Sequence, residues 1–431
     1  MQFVADIHIH SKYSRATSKD MDVEHLDKWA KIKGIKVLGT GDFTHPLYLK
    51  ELKENLEPAE SGLFKLKKAR IKKNDNGMLG GFNLPENDTR FMLTAEISCI
   101  YSKNNRTRKI HLLLFAPSFE VVEKINAHLG WIGNIKSDGR PILGLDAKEA
   151  TKIVLNASPE CMVIPAHAWT PHFSVFGSAS GFDSLKECFD EYTKYIYAIE
   201  TGLSSDPAMN WRLSQLDNIT LISNSDSHSP SRIGREANVF DSEVDYYSIT
   251  DIIKKKGKGK FLYTVEFFPE EGKYHIDGHR NCKVSMQPEE TKKTKGVCPV
   301  CGKALTIGVL YRAMQLADRP EGYKPENAIP YKSLVPLDQI IADAFDMGVA
   351  SKAVQKEYVG LINKFGNEFS ILLNAGKEEI EAASSAEIAE GVRRVREGKL
   401  KIEPGYDGEY GKVKIFDENE RKNFSKQNSL F

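Results

Sequence analysis

Seven apolar segments in the first 230 residues each end in polar or ionisable residues. Such continuous apolar runs are typical of buried parallel strands, and segments with helical apolar spacing lie between several of them. Alternating strands and helices predict a β/α barrel or a doubly wound sheet. The predicted helices are 23–33, 120–129, 147–156 and 207–216, and the predicted strands are FVADIHIH (3–10), IKVLGTGD (35–42), RFMLTAEIS (90–98), KIHLLLFAP (109–117), CMVIPAHAW (161–169), YIYAIETG (195–202) and ITLISNSDSH (219–228).

Ionisable side chains lie towards the C-terminal end of every predicted strand. In β/α barrels the ligands gather at that end, so we expect these side chains to meet. Asp6, His8 and His10 alternate with apolar residues and therefore share one face of the first strand. An edge strand with a solvent-exposed polar face would account for one such strand, but it would not account for seven successive strands. The full set is Asp6, His8, His10, Asp42, His45, Glu96, His111, His167, Glu200, Asp226 and His228.

These ligand types favour a metal cluster that hydrolyses a phosphoester. Imidazole and carboxylate groups suit Zn²⁺, Mn²⁺ or Fe²⁺ better than Ca²⁺, and Glu96 has the chemistry of a carboxylate that bridges two ions. The rival is amide hydrolysis by an amidohydrolase-like barrel, because that class also begins with H-x-H. No lysine stands out at a strand end as a candidate for carbamylation. The sequence contains neither a GxxxxGK[ST] loop nor a GxSxG elbow, so a P-loop or a serine triad has no support.

The chain changes character after about residue 260. His279, Cys282, Cys298 and Cys301 form an H-x-x-C pair and a CPVC knuckle, which predict a closed tetrahedral zinc site; His275 competes with His279 as the fourth ligand. Residues 306–400 carry helical apolar spacing. The predicted division is a catalytic barrel at 1–260, a finger at 261–305, a helical domain at 306–401 and a mobile tail at 402–431.

Composition adds a candidate partner. The net charge of +1 decides nothing, but four basic clusters, at 65–73, 254–260, 292–295 and 393–401, favour a polyanion such as DNA. No segment is apolar enough for a membrane span and no signal peptide is recognisable, which predicts a cytoplasmic protein without a membrane partner. Six cysteines in 431 residues do not indicate a disulfide scaffold.

The motifs together resemble two nested families. D-x-H-x-H at the start, an aspartate after the second strand, a central Glu, two His and a final D-x-H resemble the PHP (polymerase and histidinol phosphatase) family over about residues 1–260. More closely, the sequence resembles the endonuclease Q family over nearly the whole chain. That likeness rests on DIHIHSKYSRATSKDM, GTGDFTHP, TAEIS, KIHLLLFAP, PAHAWTPHFSVFGSASGF, IETGLSSDP and NSDSHSP, on the H-x-x-C…CPVCG finger and on GVLYRAMQLADRPEGYKPENAIPYKSLVPL.

The resemblance implies an α/β fold with a PHP-type distorted seven-stranded β/α barrel, followed by a small zinc finger and a helical C-terminal domain. It implies a DNA repair endonuclease that cuts on the 5′ side of deaminated bases, such as hypoxanthine and uracil, or of abasic sites. The expected cofactors are Zn²⁺ in the finger and Zn²⁺, Mg²⁺ or Mn²⁺ in the barrel. The alternatives are a PHP phosphatase for a small phosphomonoester and a DNA-binding module without catalysis.

The resemblance also assigns residues. One ion is expected on His8, His10, Glu96 and Asp226, a second on Glu96, His111 and His167, and a third near Asp42 and His228. The usual second motif is Asp-His, but here Phe43 follows Asp42 and His45 comes three residues after it. The expected catalytic residues are Asp226, Glu96, His8, His10 and Glu200. Glu200 has no ligand role in this assignment, and it could support a ligand, act as a general base or cap the TGLSSDP turn.

Two further sites are predicted for DNA and for a protein partner. Aromatic residues just after His167 could stack on a damaged base that has left the helix, or could belong to the core; they are Trp169, His172, Phe173 and Phe176. The last residues resemble the short peptides with which archaeal repair proteins bind the sliding clamp PCNA, or form a disordered end. The matching positions are Gln427, Leu430 and Phe431.

Overall fold

The computed structural model describes residues 1–70, 81–84, 89–417 and 420. Strands and helices alternate in the first two thirds of the chain, and helices prevail in the last third. The strands are β1 (Gln2–Asp6), β2 (Val37–Gly39), β3 (Leu56–Pro58), β4 (Leu63–Leu66), β5 (Arg90–Lys103), β6 (Arg106–Ala116), β7 (Ile142–Leu143), β8 (Met162–Pro165), β9 (Ala198–Glu200), β10 (Thr220–Ile222), β11 (Ala237–Asp241), β12 (Phe261–Glu266), β13 (Asp277–His279), β14 (Val284–Met286), β15 (Tyr331–Ser333), β16 (Lys401–Glu403) and β17 (Lys412–Lys414).

The helices of the described ranges are short, and none of them is both long and apolar enough to cross a bilayer. They are α1 (Val23–Lys33), α2 (Pro46–Asn55), α3 (Phe119–Ile132), α4 (Ala147–Ala157), α5 (Leu185–Phe189), α6 (Pro207–Asn210), α7 (Tyr246–Lys255), α8 (Pro288–Lys293), α9 (Val309–Leu316), α10 (Leu337–Phe345), α11 (Lys352–Phe365), α12 (Lys377–Ala383) and α13 (Ala386–Arg396).

Three of the four predicted barrel helices are confirmed within three residues at each end. The fourth prediction, 207–216, is wrong in extent. α6 ends at Asn210, and a separate 3-10 turn covers Ser214–Leu216. Its start is as the sequence indicates, since Asp206 accepts a hydrogen bond from the Met209 N–H as an N-cap and Pro207 follows it.

The seven predicted strands form one ring around the candidate site. β1 pairs in parallel with β2, β2 with β5 and β9 with β10, whereas β6 is antiparallel to both β5 and β8. Backbone bonds complete the ring at two points: the Ala168 N–H donates to the Glu200 carbonyl, and the His10 N–H donates to that of Ser227. This is the distorted seven-stranded barrel of the prediction, and the fold class is confirmed.

Strand β6 departs from the parallel direction of which a continuous apolar run is typical. β5 and β6 form a long antiparallel hairpin across a two-residue turn, and both turn residues, Asn104 and Asn105, have positive φ angles of 55° and 56°. Asparagine tolerates this left-handed conformation, which two-residue hairpin turns require. The reversal does not displace His111 from the site, because the hairpin register sets it opposite Ser98, two residues beyond Glu96.

The barrel sheet continues past the predicted boundary at residue 260. β11 is antiparallel to β1, β12 is antiparallel to β11, and β15 is parallel to β12. The boundary at 260 therefore falls between two paired strands. The finger begins beyond this sheet with the β13–β14 hairpin and α8, and α8 contains Lys292 and Lys293 of one basic cluster.

The helical segment is fastened to the barrel by a buried ion pair. Lys33, at the end of α1, lies 2.6 Å from the carboxylate of Glu368, and each side chain is 5% exposed. The same Glu368 accepts hydrogen bonds from the Tyr358 hydroxyl and from the Leu337 N–H at the start of α10. Because all of these groups are buried together, removing one partner would leave an uncompensated charge.

The predicted mobile tail, 402–431, needs correction in its first part. β16 and β17 form a hairpin, and its loop is bonded to the segment before the finger: the Gly405 N–H donates to the Glu270 carbonyl and the Gly411 N–H to that of Glu271. A Cβ at either glycine would clash with this backbone, so glycine permits the close approach. The clamp residues Gln427, Leu430 and Phe431 lie outside the described residues.

Candidate metal centre and cleft

Four side chains converge from the middle of β5 and from the segments that follow β1 and β10. The His10 Nε2 atom lies 3.0 Å from Asp226 Oδ1 and 3.2 Å from Glu96 Oε2. The His8 Nε2 atom lies 3.6 Å and 3.8 Å from the same two oxygens. The four ligand atoms all lie within 4.8 Å of one another, so a single ion between them would reach all four.

A second group shares Glu96 with the first. Its other oxygen, Oε1, lies 2.8 Å from His111 Nδ1 and 3.0 Å from His167 Nε2. Burial alone would raise the pKa of Glu96, but His111 and Arg140 hold it well below its usual range. Burial lowers the pKa of His111 to about 4, so this imidazole is neutral and able to bind a metal. Glu96 therefore has the position and the charge of a bridging carboxylate.

Three of the four donor atoms of the first group lack hydrogen-bond partners in the described part of the chain, and a metal ion would replace such partners. His8 Nε2, His10 Nε2 and Asp226 Oδ1 are buried, yet none of them has a hydrogen-bond partner among the described residues. Buried polar atoms without partners are costly in a native structure unless a ligand binds them. Two imidazoles with carboxylates suit Zn²⁺ or Mn²⁺, and His8, His10, Glu96 and Asp226 would hold the ion.

Two buried carboxylates orient the ligand histidines by bonding the Nδ1 side of each imidazole ring. The His8 Nδ1–H donates to Glu200, whose two oxygens both lie 3.0 Å away, and the His10 Nδ1–H donates to Asp42 Oδ1 at 3.1 Å. Each bond leaves Nε2 as the lone-pair nitrogen that faces the ion position. Glu200, which the sequence places among the catalytic residues without a ligand role, therefore has the position of a residue that orients His8, and Asp42 has that position for His10.

Three residues of the site have left-handed backbone conformations that side chains rarely adopt. The φ angles are 47° at Asp42, 29° at His167 and 46° at Asp226. Gly202 packs so closely against His167 that a Cβ there would lie 2.7 Å from the His167 Cβ. Strain of this kind persists where the surrounding structure imposes it, and it is concentrated at functional sites.

The metal groups open into a cleft of about 1090 Å³. Its walls come from the barrel, from the segment before the finger and from the β16–β17 loop. Four cationic side chains line it, together with His111, His167, Asp226 and His228 of the predicted ligand set. The cations are Lys109, Arg232, Arg235 and Lys273.

The four predicted stacking residues divide between cleft and core. His172 and Phe173 line the cleft, and the Phe173 ring lies 4.7 Å from that of His111 with the Lys109 Nζ atom 5.3 Å from its centre. Trp169 and Phe176 are 1% and 0% exposed, so they pack in the core. Their rings pack against each other, and the Trp169 indole N–H donates to Asn210.

The finger brings its four predicted ligands together. The ligand atoms of His279, Cys282, Cys298 and Cys301 all lie within 4.8 Å of one another, and this group does not contain His275. Although desolvation opposes it, the N–H groups of Cys301 and Val300 lower the pKa of the Cys298 thiol to about 6, which favours the thiolate that zinc requires. Four protein ligands without an open position are typical of a structural zinc site.

Comparison with solved structures extends this picture to the whole chain. The protein is 31% identical to the lesion-specific endonuclease PfuEndoQ from Pyrococcus furiosus, with a TM-score of 0.83, and the match covers 100% of both chains. The chain belongs to the endonuclease Q family. A second structure, endonuclease Q in complex with a 27-mer duplex substrate with an abasic lesion at the active site, matches with the same identity and TM-score over 97% of this chain and 98% of that one.

Membership of the endonuclease Q family confirms the predicted family and the predicted enzyme class, a metal-dependent endonuclease. Residues 336–399 also match the family model of the MJ0043 C-terminal domain. MJ0043 itself, an uncharacterised protein of Methanocaldococcus jannaschii, is 34% identical over 254 residues, which are 57% of this chain. The match spans only 31% of the length of MJ0043.

Sequence reasoning missed two parts of this endonuclease Q site. Arg140 donates through Nη1 to Glu96 Oε2 at 2.9 Å, although it lies on a loop that carries no motif. Tyr410, with the Lys273 Nζ atom 4.5 Å from its ring centre, lines the cleft from the tail hairpin. The only available signal for Tyr410 was the glycine spacing of EPGYDGEYGK, which permits the hairpin loop to dock closely.

Replacing Glu200 by Gln is expected to weaken metal binding by the first group about 10–100-fold, as loss of such orienting partners typically does. Glu200 accepts hydrogen bonds from His8, from the His167 N–H and from Asn224. A glutamine must turn its NH₂ towards one of these donors. Competition with a metal-binding dye measures the affinity, and the exposed Glu187→Gln variant is the control. Equal affinities in the two variants would contradict the positioning role.

Proposed function

We propose that this protein hydrolyses the phosphodiester on the 5′ side of a deaminated base or an abasic site in DNA, leaving 3′-hydroxyl and 5′-phosphate ends. The observation that carries the proposal is the pair of ligand groups joined by Glu96, which opens into a cationic cleft in a chain of the endonuclease Q family. The solved relative with an abasic lesion at its active site supports the same class of substrate.

The cleft favours a polynucleotide over a small phosphomonoester. Its volume of about 1090 Å³ lies at the upper end of the range of roughly 300–1,000 Å³ for small-molecule pockets, and its charge is the more telling property. Lys109, Arg232, Arg235 and Lys273 offer positive charge along its length, as a phosphate backbone requires. A PHP phosphatase for a small substrate has no use for this extended surface, and a DNA-binding module without catalysis has no use for the two ligand groups.

In this mechanism the side chains of the protein position the metal ligands around the reacting centre. When bound, divalent ions would provide a nucleophile from water at neutral pH and stabilise the negative charge of the phosphoryl group. Glu200 and Asp42 fix the tautomers of His8 and His10, so that Nε2 of each ring faces the reacting centre. Glu96 remains ionised because His111 and Arg140 keep its pKa low.

Lesion selectivity would come from extrusion of the damaged nucleotide into the cleft. Extrusion costs least at a weakened or missing base pair, which gives selection before any contact with the base. Phe173 and His172 are the groups proposed to stack on the extruded nucleotide. The Phe173 ring packs against His111 and Lys109. Trp169 and Phe176 support this wall from the core.

The finger would carry Zn²⁺, and the barrel would carry Zn²⁺, Mg²⁺ or Mn²⁺. With the C-terminal hairpin, the finger is proposed to clasp the duplex beside the cleft, since Asp407 of the hairpin accepts hydrogen bonds from the Arg280 N–H of the finger and from the hydroxyl of Thr306, which follows it. Binding of the sliding clamp by Gln427, Leu430 and Phe431 remains a prediction from sequence, as does the division into four domains.

The test uses end-labelled duplexes that differ in one nucleotide: uracil, hypoxanthine, an abasic site or the undamaged base. We expect one cut on the 5′ side of each lesion, no cut in the undamaged duplex and loss of cutting with a chelator. Histidinol phosphate, tested under the same conditions, should not be hydrolysed, which would distinguish the proposed endonuclease from a PHP phosphatase. Equal cutting of undamaged DNA, or cutting only on the 3′ side, would refute the proposal.

A further inference from the structure

Asp42 accepts four hydrogen bonds from protein donors. Its Oδ1 accepts from His10, and its Oδ2 accepts from the Ser11 N–H and hydroxyl, both at 2.6 Å, and from the Ser14 hydroxyl at 2.8 Å. The carboxylate is 0% exposed. Among the described residues, Asp42 belongs to neither of the candidate metal groups in the barrel. A third ion near Asp42 and His228, as the sequence predicts, would have to compete with these donors for the Asp42 oxygens.

Arg140 brings a positive charge to the same side of the site. Its Nη1 lies 2.9 Å from Glu96 Oε2, the oxygen that also faces His10. Its side chain is 28% exposed. Of the five N–H groups of a guanidinium, one is used on Glu96, and no other hydrogen bond of this side chain occurs within the described ranges. The remaining donors are available to an anion.

The loop that carries Arg140 is held on both sides. The Arg140 N–H donates to Asp138, the Gly139 N–H donates to the Tyr13 carbonyl, and the Ser98 N–H donates to the Pro141 carbonyl. A Cβ on Gly139 would clash with Asp42 Oδ2 and Ser14 Oγ. Asp42 thus packs against the residue before Arg140, and its carboxylate helps to place the cation.

We propose that Arg140 is a catalytic residue that takes the place of a third ion by donating to a non-bridging oxygen of the scissile phosphate. The inference rests on the proposed phosphodiester hydrolysis. The planar fork of a guanidinium matches two phosphate oxygens, and a positioned donor acts most strongly where charge develops in the transition state. The barrel would then bind two ions and no third.

Metal content and kinetics together test the proposal. The wild type and Arg140→Ala are both expected to carry two ions per barrel by elemental analysis, besides the finger ion. In single-turnover cutting of an abasic duplex, Arg140→Ala should be slower by about 10²–10³-fold, typical for loss of one positioned donor, with a half-saturation concentration within about threefold of the wild type. Arg140→Lys should keep part of the rate, and added guanidinium should partly restore Arg140→Ala.

Arg319→Ala is the matched control, because the Arg319 side chain donates to Asp217 and to the Trp211 carbonyl and, within the described part of the chain, to no residue of the metal groups. Its cutting rate should equal that of the wild type. Three ions in the wild-type barrel, an unchanged rate in Arg140→Ala, or loss of an ion from that variant would each overturn the proposal. If no lesion duplex is cut by the wild type, the proposed function fails separately; hydrolysis of bis(p-nitrophenyl) phosphate by wild type and Arg140→Ala then still decides the role of Arg140.

Discussion

Asp226→Asn is expected to lower strand cleavage by at least about a thousandfold, because loss of one metal ligand removes several kcal/mol of transition-state stabilisation. Burial opposes it, but His8 and His10 hold the pKa of Asp226 well below its usual range, so the native group is a carboxylate. Asparagine has the same shape and no charge. Barrel metal content should fall from two ions to about one, which elemental analysis measures beside the cutting assay.

The fold of Asp226→Asn should be unchanged. Asp226 has a φ of 46°, a conformation that asparagine tolerates better than most residues. Circular dichroism and the melting temperature check this point, and Asp251→Asn, on the exposed face of α7, controls for loss of a carboxylate. Cleavage by Asp226→Asn at the wild-type rate would show that Asp226 is not a metal ligand on which the reaction depends.

A Cys298→Ser, Cys301→Ser double variant is expected to lose about one zinc equivalent and to unfold the finger locally. The apparent free energy of zinc binding by such sites is about 10–16 kcal/mol, which far exceeds what the small β13–β14 hairpin can supply by itself. Because Asp407 joins the finger to the tail hairpin, the wall that contains Tyr410 should loosen as well. Affinity for lesion DNA should fall, while the barrel ions remain.

Val300→Ala is the control for the finger, since Val300 lies between the two cysteines and is 69% exposed. It should keep its zinc and its affinity for DNA. Elemental analysis and fluorescence anisotropy with a labelled abasic duplex give the two measurements. Full zinc content in the double variant would show that the four ligands do not bind the ion.

The strands and most ligands of the site were predictable because a histidine or a carboxylate accompanies each apolar run that forms a strand of the barrel. A histidine or carboxylate at the end of an apolar run leaves few alternatives when seven runs share the feature. His8, His10, Glu96 and Asp226 were grouped from this pattern and the family resemblance, and the structure brings the same four atoms together. The shared position of Glu96 follows from its place on β5, between β2 and β6.

The rest depends on tertiary contacts that no local pattern records. Asp42 has the residue type of a ligand, and only its bonds to His10, Ser11 and Ser14 show that it is occupied. Arg140 lies in a loop without periodicity, so its approach to Glu96 was invisible. The spacing of Trp169 and Phe173 could not show that one ring packs in the core while the other lines the cleft.

The Tyr410 hairpin has a consequence for synthesis on the ribosome. Every candidate metal ligand of the barrel has been translated by residue 228, yet one wall of the cleft arrives with residue 410, almost two hundred residues later. A nascent chain can therefore assemble the ion-binding groups long before it can enclose a DNA strand. An enzyme that cuts DNA thereby gains its complete cleft only after the finger and the helices that support the hairpin have also been translated.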